Sequence, residues 1–321
     1  MAAYCVALIH LAPCTEKAEL ITNVLRLFPV YYFYASAVHF TIRRVLRRDG
    51  SVSAGLSWNR LIRPYVAWTV LYLLLRCAKN GGISPAHGWV EWLGLLFMGQ
   101  SAVHMYFLPQ LVYFQGVAGA SALLCAGLLK KRFHSAAACW LAAAFVASIF
   151  IGRAGYFGWN HTFLAGLVYA FLGAISVWLD DRVGKAWIAV FAPAALVLIV
   201  LSLIAGFGIE LPAFYYLLNG PVFGCCTLLV LLRMHAVNPS RWVERLVSCY
   251  FGIYLAHHAI EEGLEMIFDR LGHSLTPYDV SSRLGFALIA FCGGIMVTLT
   301  IRLSPFLAWW MLGERRRADS V

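Results

Sequence analysis

Arg43-Arg44-Val45-Leu46-Arg47-Arg48, followed by Trp58-Asn59-Arg60-Leu61-Ile62-Arg63-Pro64-Tyr65, is the stretch on which the fold turns. It separates two apolar runs, 22–42 and 62–78. Guanidinium groups are costly inside a bilayer and are retained on the cytoplasmic side of short loops. Six arginines between two apolar runs therefore mark an inward loop and set the direction of both flanking spans.

The rest of the chain follows the same alternation. Of 321 residues, 61% are hydrophobic and only 12% charged, with a mean hydropathy of +0.75. Soluble domains carry about 25% charged residues, so this composition is that of a polytopic membrane protein. The net charge of +10 is no nucleic-acid signal until its distribution is known. Apolar runs fall at 2–14, 22–42, 62–78, 104–129, 134–152, 156–179, 186–207, 211–232, 246–268 and 284–305. With 43–63 inward, alternate loops hold seventeen Lys or Arg (43, 44, 47, 48, 60, 63, 130, 131, 132, 182, 185, 233, 241, 245, 315, 316, 317). The opposite loops hold five, namely Lys17, Lys79, Arg153, Arg270 and Arg283. That asymmetry predicts an all-α integral membrane protein of about ten transmembrane helices with both termini cytoplasmic.

The first run is short. Ala2–Cys14 reaches roughly 20 Å at ~1.5 Å per residue, against an apolar core of ~30 Å. Either it thins the bilayer or the chain starts upstream of Met1, and the second is the expectation. The nine cysteines lie mostly within apolar runs and form no C-x-x-C pair, which reads as small hydrophobic packing. No internal repeat is visible, which argues against a carrier built from two related halves. Trp89 and Trp92 in the outward segment 79–103 read as an interfacial belt or a sugar-stacking surface. The inward hairpins at 130–133 and 180–185 read as purely topological.

A few polar residues stand out from this apolar background. His10 lies in Tyr4-Cys-Val-Ala-Leu-Ile-His10-Leu-Ala-Pro13. An imidazole with a pKa near ~6.5 can take a proton from a hydroxyl and return it near neutral pH. The plainer reading is a histidine satisfied by a neighbouring helix. Arg60 and Arg63, three residues apart, share a helix face and could grip a phosphate group bidentately; otherwise they are topology anchors. In Tyr250-Phe-Gly-Ile-Tyr254-Leu-Ala-His257-His258-Ala-Ile-Glu261-Glu262-Gly-Leu-Glu265, His257, Glu261 and Glu265 share one face, and His258 and Glu262 another. These carboxylates could pair with the histidines, bind an acceptor's hydroxyls or mark the wet end of the span. His-x-x-x-Glu without a third ligand is no zinc signature, so no metal is expected. His104 and Asn160-His161 read as interface residues.

Taken in order, these segments resemble the membrane-bound acyltransferase 3 family of bacterial O-acyltransferases. Leu27-Phe-Pro29-Val-Tyr-Tyr-Phe33-Tyr-Ala-Ser36 is similar to the family's Pro-x-Phe-Phe-x-x-Ser-Gly-Phe segment. Arg60-Leu-Ile-Arg63-Pro64-Tyr65 with Trp68 resembles its Arg-x-x-Arg-Pro-Tyr-x-x-Trp motif. Tyr106-Phe107-Leu108, Phe171-Leu172-Gly173 and Phe251-Gly-Ile-Tyr254-Leu-Ala-His257 match further elements, and Pro305-Phe306 with Gly313 matches the closing one. His10 stands where the family has its first-helix histidine. Two departures are Ala37-Val38 in place of Gly and an aromatic, and an arginine ahead of the histidine that would fall before Met1.

The resemblance implies a single acyltransferase 3-like transmembrane domain over residues 1–321, with a truncated first helix. It implies a multi-pass enzyme of the bacterial inner membrane. Such an enzyme moves an acetyl or short acyl group from acyl-CoA to a sugar hydroxyl of an envelope polysaccharide or glycolipid. Acetyl-CoA is a co-substrate, with no permanently bound cofactor. The partners are the acyl-CoA, the glycan or lipid-linked sugar acceptor and the bilayer, with no nucleic acid. His10 is expected as general base or transient acyl carrier, and Arg60 and Arg63 as the coenzyme A phosphate site. Ser36, Tyr254, His257 and Glu261 are expected to line the substrate cavity. The alternatives are a succinyltransferase of periplasmic glucans and a non-catalytic lipid-linked glycan carrier or export component.

Overall fold

The computed structural model describes residues 2–11, 14–47, 58–79, 88–130, 159–182, 185–207, 209, 213–234, 240–273 and 277–314. Over these residues the protein is all-α, with an isolated bridge between Cys14 and Tyr278. The helices are α1 Ala2–His10, α2 Glu16–Arg26, α3 Tyr32–Arg47, α4 Trp58–Lys79, α5 Trp89–Phe97 and α6 Phe107–Lys130. They continue as α7 Trp159–Arg182, α8 Ile188–Gly206, α9 Ala213–Arg233, α10 Arg241–Arg270, α11 Val280–Arg302 and α12 Pro305–Met311. Each expected apolar run carries a helix except 134–152, which lies outside the described residues. The run at 22–42 is not one regular helix. Pro29 has no amide to donate, and the chain takes a wider π-turn over Leu27–Tyr31 between α2 and α3.

Among the described residues, Arg60–Lys79, Ile188–Ala205 and Val280–Arg302 are long and apolar enough to cross a membrane, and Ala165–Asp180 and Leu218–Arg233 are shorter apolar stretches. The Ile188–Ala205 window is almost wholly unburied, apart from Ser202, which is 9% exposed; Leu196, Val197 and Val200 face outward. Water would penalise a continuous apolar surface of this kind, whereas lipid tails solvate it. The make-up is that of a multi-pass helical membrane protein.

Two compact units are distinguished. One comprises Met1–Thr22, Ser57–Pro109 and Val237–Val321; the other comprises Asn23–Leu56 and Gln110–Ala236. In the first, α10 and α11 pack along their length. Gly252 makes this approach possible, because a Cβ there would sit 2.2 Å from Thr298 Oγ1. Small residues at helix contacts are what membrane bundles use where no hydrophobic force drives association. Ala3 of α1 joins Cys249 and Ile253 in a buried cluster. Asp279 caps α11, accepting from Ser282 N at 2.7 Å, and Ser304 with Pro305 at the first turn opens α12.

The second unit packs α3, α7, α8 and α9. Its aromatic centre joins Tyr34, Phe114 and Tyr169, with ring centroids 4.7–5.5 Å apart, and Tyr34 OH donates to Gln110 Oε1 at 2.6 Å. The nearly buried Asp180 is held by Arg43 from α3 and Arg233 from α9. Arg233 also donates to Asp180 O at 2.6 Å, and His39 Nε2 lies 3.7 Å from the carboxylate. The 180–185 segment is therefore more than a topological hairpin: its first residue ties three helix ends together.

Candidate functional site: a histidine cluster joined by one helix to an arginine pair

α1 ends at His10, three residues ahead of Pro13 in the sequence, and a proline has no amide with which to continue a helix. In the first unit the His10 ring meets three others: His257 at 5.4 Å between centroids, His104 at 6.0 Å and His258 at 6.4 Å. His104 and His257 are 4.8 Å apart, and His104 and His258 5.4 Å. His104 sits in the turn before α6 and is 1% exposed, so it belongs to the interior and not to the interface expected for it. Tyr254 OH donates to His104 O at 2.5 Å, which holds this turn against α10.

The tautomer of His257 follows from its neighbours. Its Nδ1 lies 2.7 Å from Tyr254 O and 3.3 Å from Ile253 O. Carbonyl oxygens only accept, so Nδ1 carries the hydrogen and Nε2 the lone pair of the neutral ring. That Nε2 is buried and has no hydrogen-bond partner among the described residues. It is an acceptor held in place with nothing of the protein's own to accept from.

His258, not His257, engages the carboxylates of α10. Its Nδ1 is 3.6 Å from Glu261 Oε2, and its Nε2 is 3.5 Å from Glu262 Oε1. Glu261 is 2% exposed; Glu262 lies 4.0 Å from Lys79 Nζ. Glu265 is turned elsewhere, accepting from Tyr278 OH at 2.7 Å. Among the described residues no set of three His, Cys, Asp or Glu is arranged to hold a metal ion.

Tyr72 brings α4 to this cluster. Its hydroxyl donates to Leu255 O at 2.8 Å and accepts from Ala259 N at 3.3 Å. These are i and i+4 partners that an α-helix normally bonds directly, so the phenol sits in the backbone ladder of α10 beside His257 and His258. Its ring is 5.2 Å from His104.

The same helix carries the arginine pair near its start. Arg60 is exposed, and Arg63 lies over the Trp309 ring with Cζ 4.1 Å from the centroid. A guanidinium over an indole is held there by cation–π attraction, which uses none of its N–H donors. Pro64 removes the amide that would take the Arg60 carbonyl. The closing segment approaches that position: Gly313, at φ +66, would place a Cβ 2.5 Å from Arg60 O. Trp68 Nε1 donates to Met311 O at 3.0 Å, fastening α12 to α4. Nine residues separate Arg63 from Tyr72, about 14 Å along the axis, and twelve separate Arg60 from Tyr72, about 18 Å.

Of the site residues expected from sequence, His10, Tyr254, His257 and Glu261 belong to one cluster in the first unit, and Arg60 and Arg63 stand on α4 of that unit. Ser36 belongs to the second unit, where its hydroxyl donates to Phe33 O at 3.0 Å. His161 has a side chain outside the described residues. The pairing expected of His258 with Glu262 on one face of the helix is present; nothing in the sequence marks Tyr72 for this cluster, and Arg283, expected in an outward loop, is 3% exposed in α11.

No curated protein and no solved structure was found to match the chain. The acyltransferase 3 family model, described as an acyltransferase domain, matches residues 16–303. The match begins beyond His10, so it rests on the chain from α2 through α11. With most of its length covered, the chain belongs to the acyltransferase 3 family.

Proposed function

We propose that the protein is a single-domain, ten-span O-acyltransferase of the bacterial inner membrane with both termini cytoplasmic. It transfers an acetyl or short acyl group from acyl-CoA to a sugar hydroxyl of an envelope polysaccharide or glycolipid. Family membership supplies the acyl transfer. The observation that carries the rest is α4, which bears the Arg60–Arg63 pair near its start, Arg63 held over Trp309, and meets the histidine cluster through Tyr72. A long, flexible pantetheine arm fits that separation. The convergence of Arg43, Asp180 and Arg233 supports the inward assignment of the ends of α3, α7 and α9.

In this reading Arg60 and Arg63 hold coenzyme A phosphates, and the thioester reaches the cluster. His10 takes the proton of the acceptor hydroxyl as its oxygen attacks the thioester carbonyl; the C–S bond breaks, and the departing thiolate recovers a proton as free coenzyme A. The lone pair of His257 Nε2 accepts from a second hydroxyl of the sugar and so orients it, and Glu261 with His258 and Tyr254 lines the acceptor side. An interior closed to water favours the sugar over hydrolysis of the thioester.

Mass spectrometry of the envelope glycan tests this, using a deletion strain complemented with wild-type or His10→Ala protein. The variant is expected to insert normally and leave the glycan unacylated; acylation that survives it overturns the reading. Arg60→Ala and Arg63→Ala are each expected to raise KM for acyl-CoA roughly 10- to 100-fold, the loss of one charge-assisted hydrogen-bond pair. An unchanged KM would return both to topology anchors.

A further inference from the structure

Arg283 is a charged residue at the start of a span, yet it is 3% exposed. Its Nε donates to Leu8 O at 2.9 Å, and Nη1 donates to Ala18 O at 3.1 Å. Leu8 lies in the last turn of α1, two residues before His10, and Ala18 lies in the first turn of α2. The last carbonyls of a helix have no partner within it, and its C-terminus carries partial negative charge. A guanidinium there satisfies a stranded acceptor and complements the dipole. Bonding residues on both sides of His10 also fixes the turn from which the imidazole projects.

The hydrogen bonds of Arg283 face the backbone that carries His10. A plain cap for a nine-residue helix would need only one donor and no buried fork.

We propose that Arg283 is a positioning residue: by clamping Leu8 O and Ala18 O it sets the direction of the His10 ring in the cluster. This rests on the reading of His10 as general base. Lysine at this position keeps the charge but cannot span two carbonyls with a planar fork.

The test compares wild type, Arg283→Lys, Arg283→Gln and His10→Gln as purified proteins in lipid vesicles. It reads kcat, KM for acyl-CoA and folded fraction by size exclusion. Arg283→Lys is expected to fold, to keep the wild-type KM set by Arg60 and Arg63, and to lose roughly 100-fold in kcat per folded molecule, the scale of a 1 Å misplacement. Arg283→Gln, which loses both charge and fork, is expected to lose at least as much. Wild-type kcat in the Lys and Gln variants, with His10→Gln inactive, overturns the positioning role and leaves the base intact. Full activity in His10→Gln overturns the base itself. A Lys variant that does not fold makes Arg283 a folding residue first, and that result also counts against the inference.

Discussion

Each unit buries a polar cluster, and the two are finished differently. Asp180 in the second unit is saturated by Arg43 and Arg233, with His39 close by. In the first unit, buried atoms of the histidine cluster, His257 Nε2 and both Glu261 oxygens among them, lack a hydrogen-bond partner among the described residues. Buried polar groups normally find partners, so a carboxylate met by two guanidiniums reads as architecture, whereas acceptors left over in a buried cluster leave donors for a ligand to supply. That difference, between a carboxylate already held and acceptors still open, is visible without reference to any motif.

The largest effect is expected from breaking the lock. Asp180→Asn leaves two arginines facing each other without their carboxylate and should cost about 3 kcal/mol of stability, read as loss of folded protein after detergent extraction. Acyl transfer per folded molecule should stay at the wild-type level; a fall in that ratio would blur the contrast. His257→Gln should do the reverse. It should leave folding intact and lower kcat roughly 30-fold, about 2 kcal/mol of barrier, because the amide cannot present the same fixed lone pair.

Smaller effects sharpen the picture at the arginine end of α4. Trp309→Ala removes the surface on which Arg63 lies and should raise KM for acyl-CoA several-fold, about 1 kcal/mol, with kcat unchanged. The smallest effect should come from Asp279→Ala at the α11 cap. The Ser282 hydroxyl and amide, with Ser281, hold the Asp279 carboxyl below its ordinary range. Its stabilisation is present above the unfolded carboxylate pKa and fades as pH falls through the lower folded value. Thermal midpoints of variant and wild type should therefore converge in acid and differ slightly near neutrality.

The helices themselves were legible, because runs long enough to cross lipid leave few ways to be read. The basic motif and His10 were legible too, since a guanidinium pair or an imidazole in apolar surroundings is conspicuous. Partner choice was not. Helical periodicity placed His257 on a face with Glu261, yet in the structure His258 takes that carboxylate, and the His257 neighbours come from α1 and the turn at His104. His104 lies in an irregular segment with no period to mark its inward side. Arg283 was read as a loop charge because nothing local reveals a bond to Leu8, 275 positions away. The Asp180 lock was hidden for the same reason: of the adjacent Asp180 and Asp181, nothing local marks the first as the one at which three helix ends meet.

The central claim is that a proton moves from the acceptor hydroxyl to His10 while acyl-CoA gives up its acyl group. Release of free thiol from acyl-CoA, with a sugar acceptor present, measures this in purified wild-type and His10→Gln protein reconstituted in lipid vesicles. The account predicts a rate at least roughly 100-fold lower in the variant, with folded fraction and KM unchanged. Thiol release at the wild-type rate, coupled to ester formed on the sugar, would contradict it.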